Sequence, residues 1–198
     1  MITSTQARKV ARMPWNLPNA LTWARIAAIP LIVLLFYMPY PWADPAAGLL
    51  FAAAGITDSL DGYFARRLGQ ISRLGAFLDP VADKLIVAVA LVLLVSRDPR
   101  ALIVLTAAVI IGREITISAL REWMAEIGER KHVNVATLGK YKTLMQIVAI
   151  LVLLYQHDLP GLQLFHVGES LLVIAAALTI GSALVYLRAS WPAMNQPR

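Results

Sequence analysis

The chain has 198 residues, of which 59% are hydrophobic and only 15% are charged. Soluble domains carry about 25% charged residues, so this composition is typical of a protein with several membrane-spanning helices. The absence of cysteine excludes disulfides and cysteine-ligated metals. The net charge of +6 favours a basic cytoplasmic face and anionic lipid headgroups over nucleic acid as the partner.

Residues 1–16 form a basic, amphipathic arm, predicted either to lie on the inner membrane surface or to be a disordered tail. We expect no cleavage after the first apolar run, because no small-residue cleavage site follows it. Residues 17–190 are predicted to be an all-α, polytopic membrane domain, and residues 191–198 a cytoplasmic tail. Six segments have the roughly 20 residues that a crossing needs. They are residues 21–41, 47–67, 76–96, 101–122, 138–157 and 168–188.

Basic residues are distributed unevenly between the two sides of the predicted bundle. With the N-terminus inside, the outer loops are residues 42–46, 97–100 and 158–167. Of the 18 Lys and Arg residues, only Arg97 and Arg100 fall in these loops. Cytoplasmic loops carry the excess of Lys and Arg, so both termini are predicted to be cytoplasmic.

Four aspartates interrupt the second and third predicted helices. Asp58 and Asp61 share one face of the second helix, and Asp79 and Asp83 share one face of the third. The short connection 68–75 makes these helices antiparallel neighbours, so the two pairs should face each other. Ionised groups in hydrocarbon usually mark function. Oxygen-only ligands favour Mg²⁺ or Mn²⁺, and two such ions are the usual clamp for displacement at phosphorus.

Each aspartate taken alone also has an ordinary structural explanation. Asp79 could cap a helix, and Asp83 could pair with Lys84 or Arg66. Such roles do not account for four carboxylates at this spacing. The sequence therefore predicts two divalent cations held by Asp58, Asp61, Asp79 and Asp83.

The stretch from residue 58 to residue 83 reads Asp-x2-Asp-Gly-x2-Ala-Arg-x8-Gly-x3-Asp-x3-Asp. It resembles the signature of the CDP-alcohol phosphotransferase family at every fixed position. The stretches NLPNALTWARIAAIPL, GAFLDPVADKL, GREITISALREWMAE and GKYKT are similar to the phosphatidylglycerophosphate synthase branch of that family. The resemblance implies a homodimeric enzyme of the bacterial inner membrane, with its active site facing the cytoplasm. It would transfer the phosphatidyl group of CDP-diacylglycerol to sn-glycerol 3-phosphate and release CMP.

The resemblance also implies roles for individual residues. The first three aspartates would bind metal, and Asp83 would be a ligand or the general base. Helix capping is the alternative for Asn19 and Thr22, and snorkelling is the alternative for Arg25. CDP-diacylglycerol would be bound by Asn19, Thr22, Arg25, Asp61, Gly62, Ala65, Arg66 and Gly75.

Glycerol 3-phosphate has a phosphate of its own, so the acceptor needs a separate anion pocket. Arg113 is a charge inside the apolar stretch AAVIIGREITISAL, and Arg121 lies on roughly the same helix face. Lys140 and Lys142 open the fifth helix, where GKYKT resembles the family. These four residues are the predicted acceptor site. An ion pair with Glu114 or with one of the aspartates is the alternative for Arg113, and one of the two lysines could snorkel.

Two other functions are compatible with the sequence. Cardiolipin, phosphatidylinositol and phosphatidylserine synthases share the signature but use other acceptors. A cation transporter could use the aspartates as an ion path, although transporter sites lie near the bilayer midplane. Here the aspartates lie toward the cytoplasmic face, and the neighbouring Arg66 would repel cations. The pattern therefore favours the enzyme.

Overall fold

The computed structural model describes residues 17–68, 73–127, 136–157 and 163–194. All regular structure within these ranges is helical, which confirms the all-α prediction for this part of the chain. The described helices are α1 (Leu17–Tyr37), α2 (Ala43–Leu68), α3 (Arg73–Arg97), α4 (Ala101–Glu126), α5 (Ala136–Tyr155) and α6 (Leu164–Met194).

Each predicted span coincides with one of these helices. Three helices in the described ranges contain segments long and apolar enough to cross a membrane: Ala20–Tyr37, Ala101–Glu126 and Leu164–Trp191. Shorter apolar helical segments occupy Ala43–Thr57 and Lys142–Tyr155. The remaining crossings and the cytoplasmic position of both termini stay predictions.

Helix α1 ends at Tyr37, although the sequence predicted an apolar span as far as residue 41. The difference has a local cause, because Pro39 and Pro41 follow directly. Proline lacks the N–H that an α-helix needs, and it disfavours the helical conformation of the residue before it. The chain then turns and begins α2 at Ala43.

The chain forms two compact units, Met1–Val89 and Ala90–Arg198. In the first unit α1 packs on α2. The contact surface of α2 consists mostly of small residues, which allow two helix backbones to approach closely. Its buried residues recur at helical spacing and are Ala43, Ala47, Phe51 and Ala54.

In the second unit α6 packs on both α4 and α5. The aliphatic residues of this core are fully or almost fully buried, and they include Ile110, Ile150, Leu153 and Leu172. Each of the three helices therefore contributes to one core. Charged residues of α4 and α5 that lie near this core need compensating charges or hydrogen bonds, because burial of an unpaired charge is costly.

Arg100 links the α3–α4 connection to the beginning of α6. Its Nη2 lies 2.7 Å from Asp98 Oδ2 and 2.8 Å from Glu169 Oε1. Its guanidinium carbon also lies 5.4 Å from the centre of the Phe165 ring. The hydrogen bonds from Arg100 hold the pKa of Asp98 below its usual range. Asp98, Arg100 and Phe165 fall in the predicted outer loops, and Glu169 is the second residue of the predicted sixth span.

Gly168 supplies a test of the packing between α5 and α6. A Cβ at this position would lie 2.8 Å from Leu153 Cγ and 3.1 Å from Val152 Cγ1. Leu153 is buried and has little room to move. We expect Gly168→Ala to lower the free energy of unfolding by about 1–3 kcal/mol, because it overpacks a filled contact. Thermal unfolding in detergent measures the effect.

Gly181→Ala is the matched control, because it lies in the same helix and its Cβ would have no heavy atom within 4 Å. Alanine is the better helix former, so this variant should be as stable as the unmodified protein or slightly more stable. Equal losses of stability in the two variants would contradict a close contact at Gly168.

Candidate active site

Two aspartates of α3 each contact a polar side chain of α1. Thr22 Oγ1 donates a hydrogen bond to Asp79 Oδ1 at 2.5 Å. Arg25 Nη1 donates to Asp83 Oδ1 at 2.7 Å. Thr22 and Arg25 are about one helical turn apart on α1, and Asp79 and Asp83 are about one turn apart on α3. The two hydrogen bonds therefore lie one above the other along the helices.

Arg25 also connects these helices to α2. Its Nε donates to the carbonyl oxygen of Ala54 at 3.3 Å. The side chain is 1% exposed, so the snorkelling alternative for Arg25 is wrong. Thr22 lies five residues into α1 and donates to Asp79, so it is not a helix cap. The sequence did not predict that both residues would contact the aspartates.

Several predicted residues of this site have side chains outside the described part of the chain. The helical backbone of α2 runs through residues 58–68, which keeps Asp58 and Asp61 one turn apart on a single helix. Gly75 is buried in the first turn of α3. The predicted residues whose side chains are not described are Asn19, Asp58, Asp61, Gly62, Ala65 and Arg66.

The carboxylates of Asp79 and Asp83 offer only oxygen ligands, which are the ligands that hard divalent cations prefer. Among the described side chains there is no group of three or more His, Cys, Asp or Glu residues that could hold a metal ion. Asp79 and Asp83 are the two members of the predicted ligand set whose side chains the structure describes. The complete set stays a prediction.

The second unit contains a basic cluster, which we define as Arg113, Glu114, Arg121, Lys142 and the residues of α6 that contact them. The Lys142 ammonium on α5 donates to Glu114 Oε1 on α4. Arg113 Nη1 lies 3.2 Å from the same carboxylate oxygen. Lys142 and Arg113 have side chains that are 3% and 10% exposed, so one carboxylate compensates two buried cations.

Helix α6 completes the basic cluster with two neutral polar residues. Arg113 Nη2 donates to Ser182 Oγ at 3.0 Å. Arg121 Nη2 donates to Tyr186 Oη at 2.7 Å. The guanidinium carbons of Arg113 and Arg121 lie 5.8 Å and 5.0 Å from the centre of the Tyr186 ring. Tyr186 therefore holds both arginines by cation–π contacts.

The basic cluster carries an excess of positive charge. Its three described cations face one carboxylate, which leaves a net charge of +2. Among the described residues, the buried Nε of Arg113 has no hydrogen-bond partner. A phosphate dianion has the opposite charge and accepts several hydrogen bonds, two of them from one guanidinium. The cluster is therefore suited to bind a phosphate group.

Sequence reasoning identified part of this cluster. Arg113, Arg121 and Lys142 come together, and the predicted pairing of Arg113 with Glu114 is also present. The side chain of Lys140 lies outside the described residues. The polar residues of α6 were missed, although their spacing of three to four places them on one helix face. This buried stripe is Thr179, Ser182, Tyr186 and Ser190.

These features define a class of protein: an apolar helical protein with paired carboxylates in one unit and a basic cluster in the other. The family model for CDP-alcohol phosphatidyltransferase matches residues 15–181. The chain belongs to the CDP-alcohol phosphatidyltransferase family, which confirms the resemblance carried by the aspartate signature.

Its relatives include enzymes named CDP-diacylglycerol–glycerol-3-phosphate 3-phosphatidyltransferase. The chain is 53% identical to the one from Pseudomonas fluorescens over 180 residues, covering 89% of this chain and 91% of that protein. It is 48% identical to those of Shigella flexneri serotype 5b and Escherichia coli over 178 residues, covering 90% of this chain and 96% of each. The similarity therefore covers nearly the whole length of this chain and of each of these relatives.

Inorganic phosphate should stabilise the protein if the basic cluster binds phosphate. At ten times its dissociation constant, phosphate should raise the midpoint of thermal unfolding by roughly 2–5 °C. Arg121→Met should reduce this rise, because it removes one cation of the cluster. The measurement is thermal unfolding in detergent at constant ionic strength, with chloride replacing phosphate.

Arg100→Met is the matched control. Arg100 also lies over an aromatic ring and donates to side chains, but it is outside the basic cluster. This variant should keep the full phosphate-dependent rise. A rise that Arg121→Met leaves intact would place the phosphate somewhere else.

Proposed function

We propose that this protein transfers the phosphatidyl group of CDP-diacylglycerol to sn-glycerol 3-phosphate, giving phosphatidylglycerophosphate and CMP. The observation that carries the proposal is the basic cluster, in which the Arg113 and Lys142 side chains are largely buried and the net charge is +2. It suits an acceptor that carries a phosphate dianion. An uncharged or zwitterionic acceptor such as serine would leave these cations uncompensated. The names of the relatives support the same reaction.

The proposed reaction is a displacement at the β-phosphorus of the pyrophosphate. An oxygen of glycerol 3-phosphate forms the new P–O bond while the bond to the CMP oxygen breaks. The proton of the attacking hydroxyl passes to the Asp83 carboxylate. Arg25 holds this carboxylate by a hydrogen bond of 2.7 Å, which fixes its orientation relative to α1. A fixed base is effective because proton transfer requires hydrogen-bond contact with the hydroxyl.

The donor site consists, in this proposal, of the signature residues and the beginning of α1. Asp58, Asp61, Asp79 and Asp83 are proposed to bind two Mg²⁺ or Mn²⁺ ions, and the family is generally dependent on divalent cations. When bound, such ions would neutralise charge on the pyrophosphate. Thr22 would contribute by orienting Asp79. The cytidine diphosphate would be bordered by Asn19, Arg25, Gly62, Ala65, Arg66 and Gly75.

The proposal includes a cellular setting. A homodimer in the bacterial inner membrane, with its active site facing the cytoplasm, agrees with the predicted excess of Lys and Arg on that side. It also agrees with the substrates, because glycerol 3-phosphate and CMP are water-soluble. The six-helix domain would span residues 17–190, between the arm 1–16 and the tail 191–198.

Release of CMP tests the choice of acceptor. Purified protein in detergent with CDP-diacylglycerol and Mg²⁺ or Mn²⁺ should release CMP with glycerol 3-phosphate and not with serine, inositol phosphate or phosphatidylglycerol. Asp83→Asn should lower the rate at least about 100-fold, since it removes a general base worth 10²–10⁴-fold. The measurement is CMP release under initial-rate conditions.

Asp98→Asn is the control, because it neutralises an aspartate that pairs with Arg100 outside the proposed site. It should retain the rate of the unmodified protein. Release of CMP with a different acceptor would overturn the substrate assignment. No release with any acceptor, from folded protein, would favour the transporter alternative.

Metal removal tests the assignment of the aspartates. Excess EDTA should abolish CMP release, and added Mg²⁺ or Mn²⁺ should restore it. Asp79→Asn should raise the metal concentration needed for half-maximal rate by roughly 10-fold or more, because it removes a proposed ligand. Titration of activity against free metal measures this shift. Undiminished activity in EDTA, after dialysis against the chelator, would contradict a metal-dependent reaction.

A further inference from the structure

Two uncharged side chains of the second unit each bury a polar atom that has no hydrogen-bond partner among the described residues. The atoms are Oε1 of Gln146 on α5 and Oγ1 of Thr179 on α6. Gln146 is 4% exposed and Thr179 is 0% exposed. Buried polar atoms are paired in the large majority of cases, so each unpaired one requires an explanation. Thr106 shows the usual arrangement, since its buried hydroxyl donates to the carbonyl of Leu102 at 2.8 Å.

Both residues lie on the same helices as members of the basic cluster. Gln146 lies one helical turn after Lys142, on the same face of α5. The carbonyl oxygen of Thr179 accepts a hydrogen bond from Ser182 Oγ at 3.0 Å. Ser182 Oγ in turn accepts from Arg113 Nη2. Each of the two groups therefore lies about one helical turn from a residue of the basic cluster, and their two helices pack together.

The chemistry of the proposed acceptor identifies what these atoms can bind. Glycerol 3-phosphate has two hydroxyls, and only one of them reacts. The second hydroxyl loses water on entering the site, so its proton needs an acceptor there. Arginine and lysine side chains only donate hydrogen bonds. Glu114 already accepts from Lys142 and Arg113.

We propose that Gln146 and Thr179 recognise the non-reacting hydroxyl of the acceptor. The Gln146 amide oxygen would accept the hydroxyl proton, and the Thr179 hydroxyl would donate to or accept from the same oxygen. The pair would thereby select a phosphorylated alcohol that carries a second hydroxyl. This inference rests on the proposed function and adds specificity-determining residues to it.

The test compares glycerol 3-phosphate with 3-hydroxypropyl phosphate, which keeps the phosphate and the attacking hydroxyl but lacks the second hydroxyl. The unmodified protein should prefer glycerol 3-phosphate by at least about 10-fold in kcat/KM, because the analogue leaves the two groups unpaired. Gln146→Met and Thr179→Val should each reduce this preference by about 3-fold or more. The loss should fall on glycerol 3-phosphate and leave kcat/KM for the analogue unchanged.

Thr106→Val is the matched control, since it removes a buried hydroxyl that is bonded within its own helix. It should leave the preference between the two acceptors unchanged. Thermal unfolding without substrates gives a second readout. Thr179→Val should raise the unfolding midpoint by about 2–4 °C, because it removes an unpaired buried group, whereas Thr106→Val should not raise it.

The outcomes separate this inference from the proposed function. If both variants keep the preference of the unmodified protein, or lose activity equally on both acceptors, the inference is overturned while the reaction stands. If the unmodified protein releases no CMP with either acceptor, the proposed function fails and the inference fails with it. The inference is supported if both variants show a reduced preference for glycerol 3-phosphate and Thr179→Val has a raised unfolding midpoint.

Discussion

Charge buried among apolar helices must be compensated, and the pairing of Arg25 with Asp83 meets this requirement in the first unit. The Arg25 guanidinium is 1% exposed and lies 2.7 Å from the carboxylate. Its second contact, to the carbonyl of Ala54, brings α2 into the same junction. Loss of the Asp83 charge would remove the carboxylate that compensates a buried guanidinium, and breaking such a pair costs stability. The contact that holds three helices together therefore also positions the carboxylate proposed to act as base.

The second unit meets the same constraint incompletely. Glu114 compensates Lys142 and Arg113, while the neutral side chains Ser182 and Tyr186 only orient the arginines. An excess of positive charge remains, and it is held in place before any anion arrives. Such preorganisation strengthens binding because the cations do not have to be gathered when the phosphate enters. The proposed function of the basic cluster therefore depends on its excess of cations over carboxylates.

The sequence predicted the parts of this structure that depend on local patterns. Each of the six described helices overlaps a segment that apolar runs and turn residues predicted. Arg113 was conspicuous as a charge in an apolar segment, whereas Arg121 followed from its helix face and Lys142 from the GKYKT resemblance. The pairing of Arg25 with Asp83 was not predictable, because it joins residues 58 positions apart and depends on how α1 packs. Tyr186 was missed for another reason: a tyrosine in an apolar helix is common and carries no signal by itself.

Charge alone cannot explain how a site distinguishes among phosphorylated acceptors. Glycerol 3-phosphate and inositol phosphate both carry a phosphate, so the basic cluster would attract either of them. Discrimination requires neutral groups whose hydrogen bonds match the positions of particular hydroxyls, because a buried polar group left unpaired by the wrong acceptor is costly. Gln146 and Thr179 have this property, since each lies one turn from a cluster residue and buries a polar atom with no partner in the described part of the chain. Affinity and selectivity would then come from different residues. The cations would attract the phosphate, and Gln146 and Thr179 would hydrogen-bond to the non-reacting hydroxyl of the alcohol.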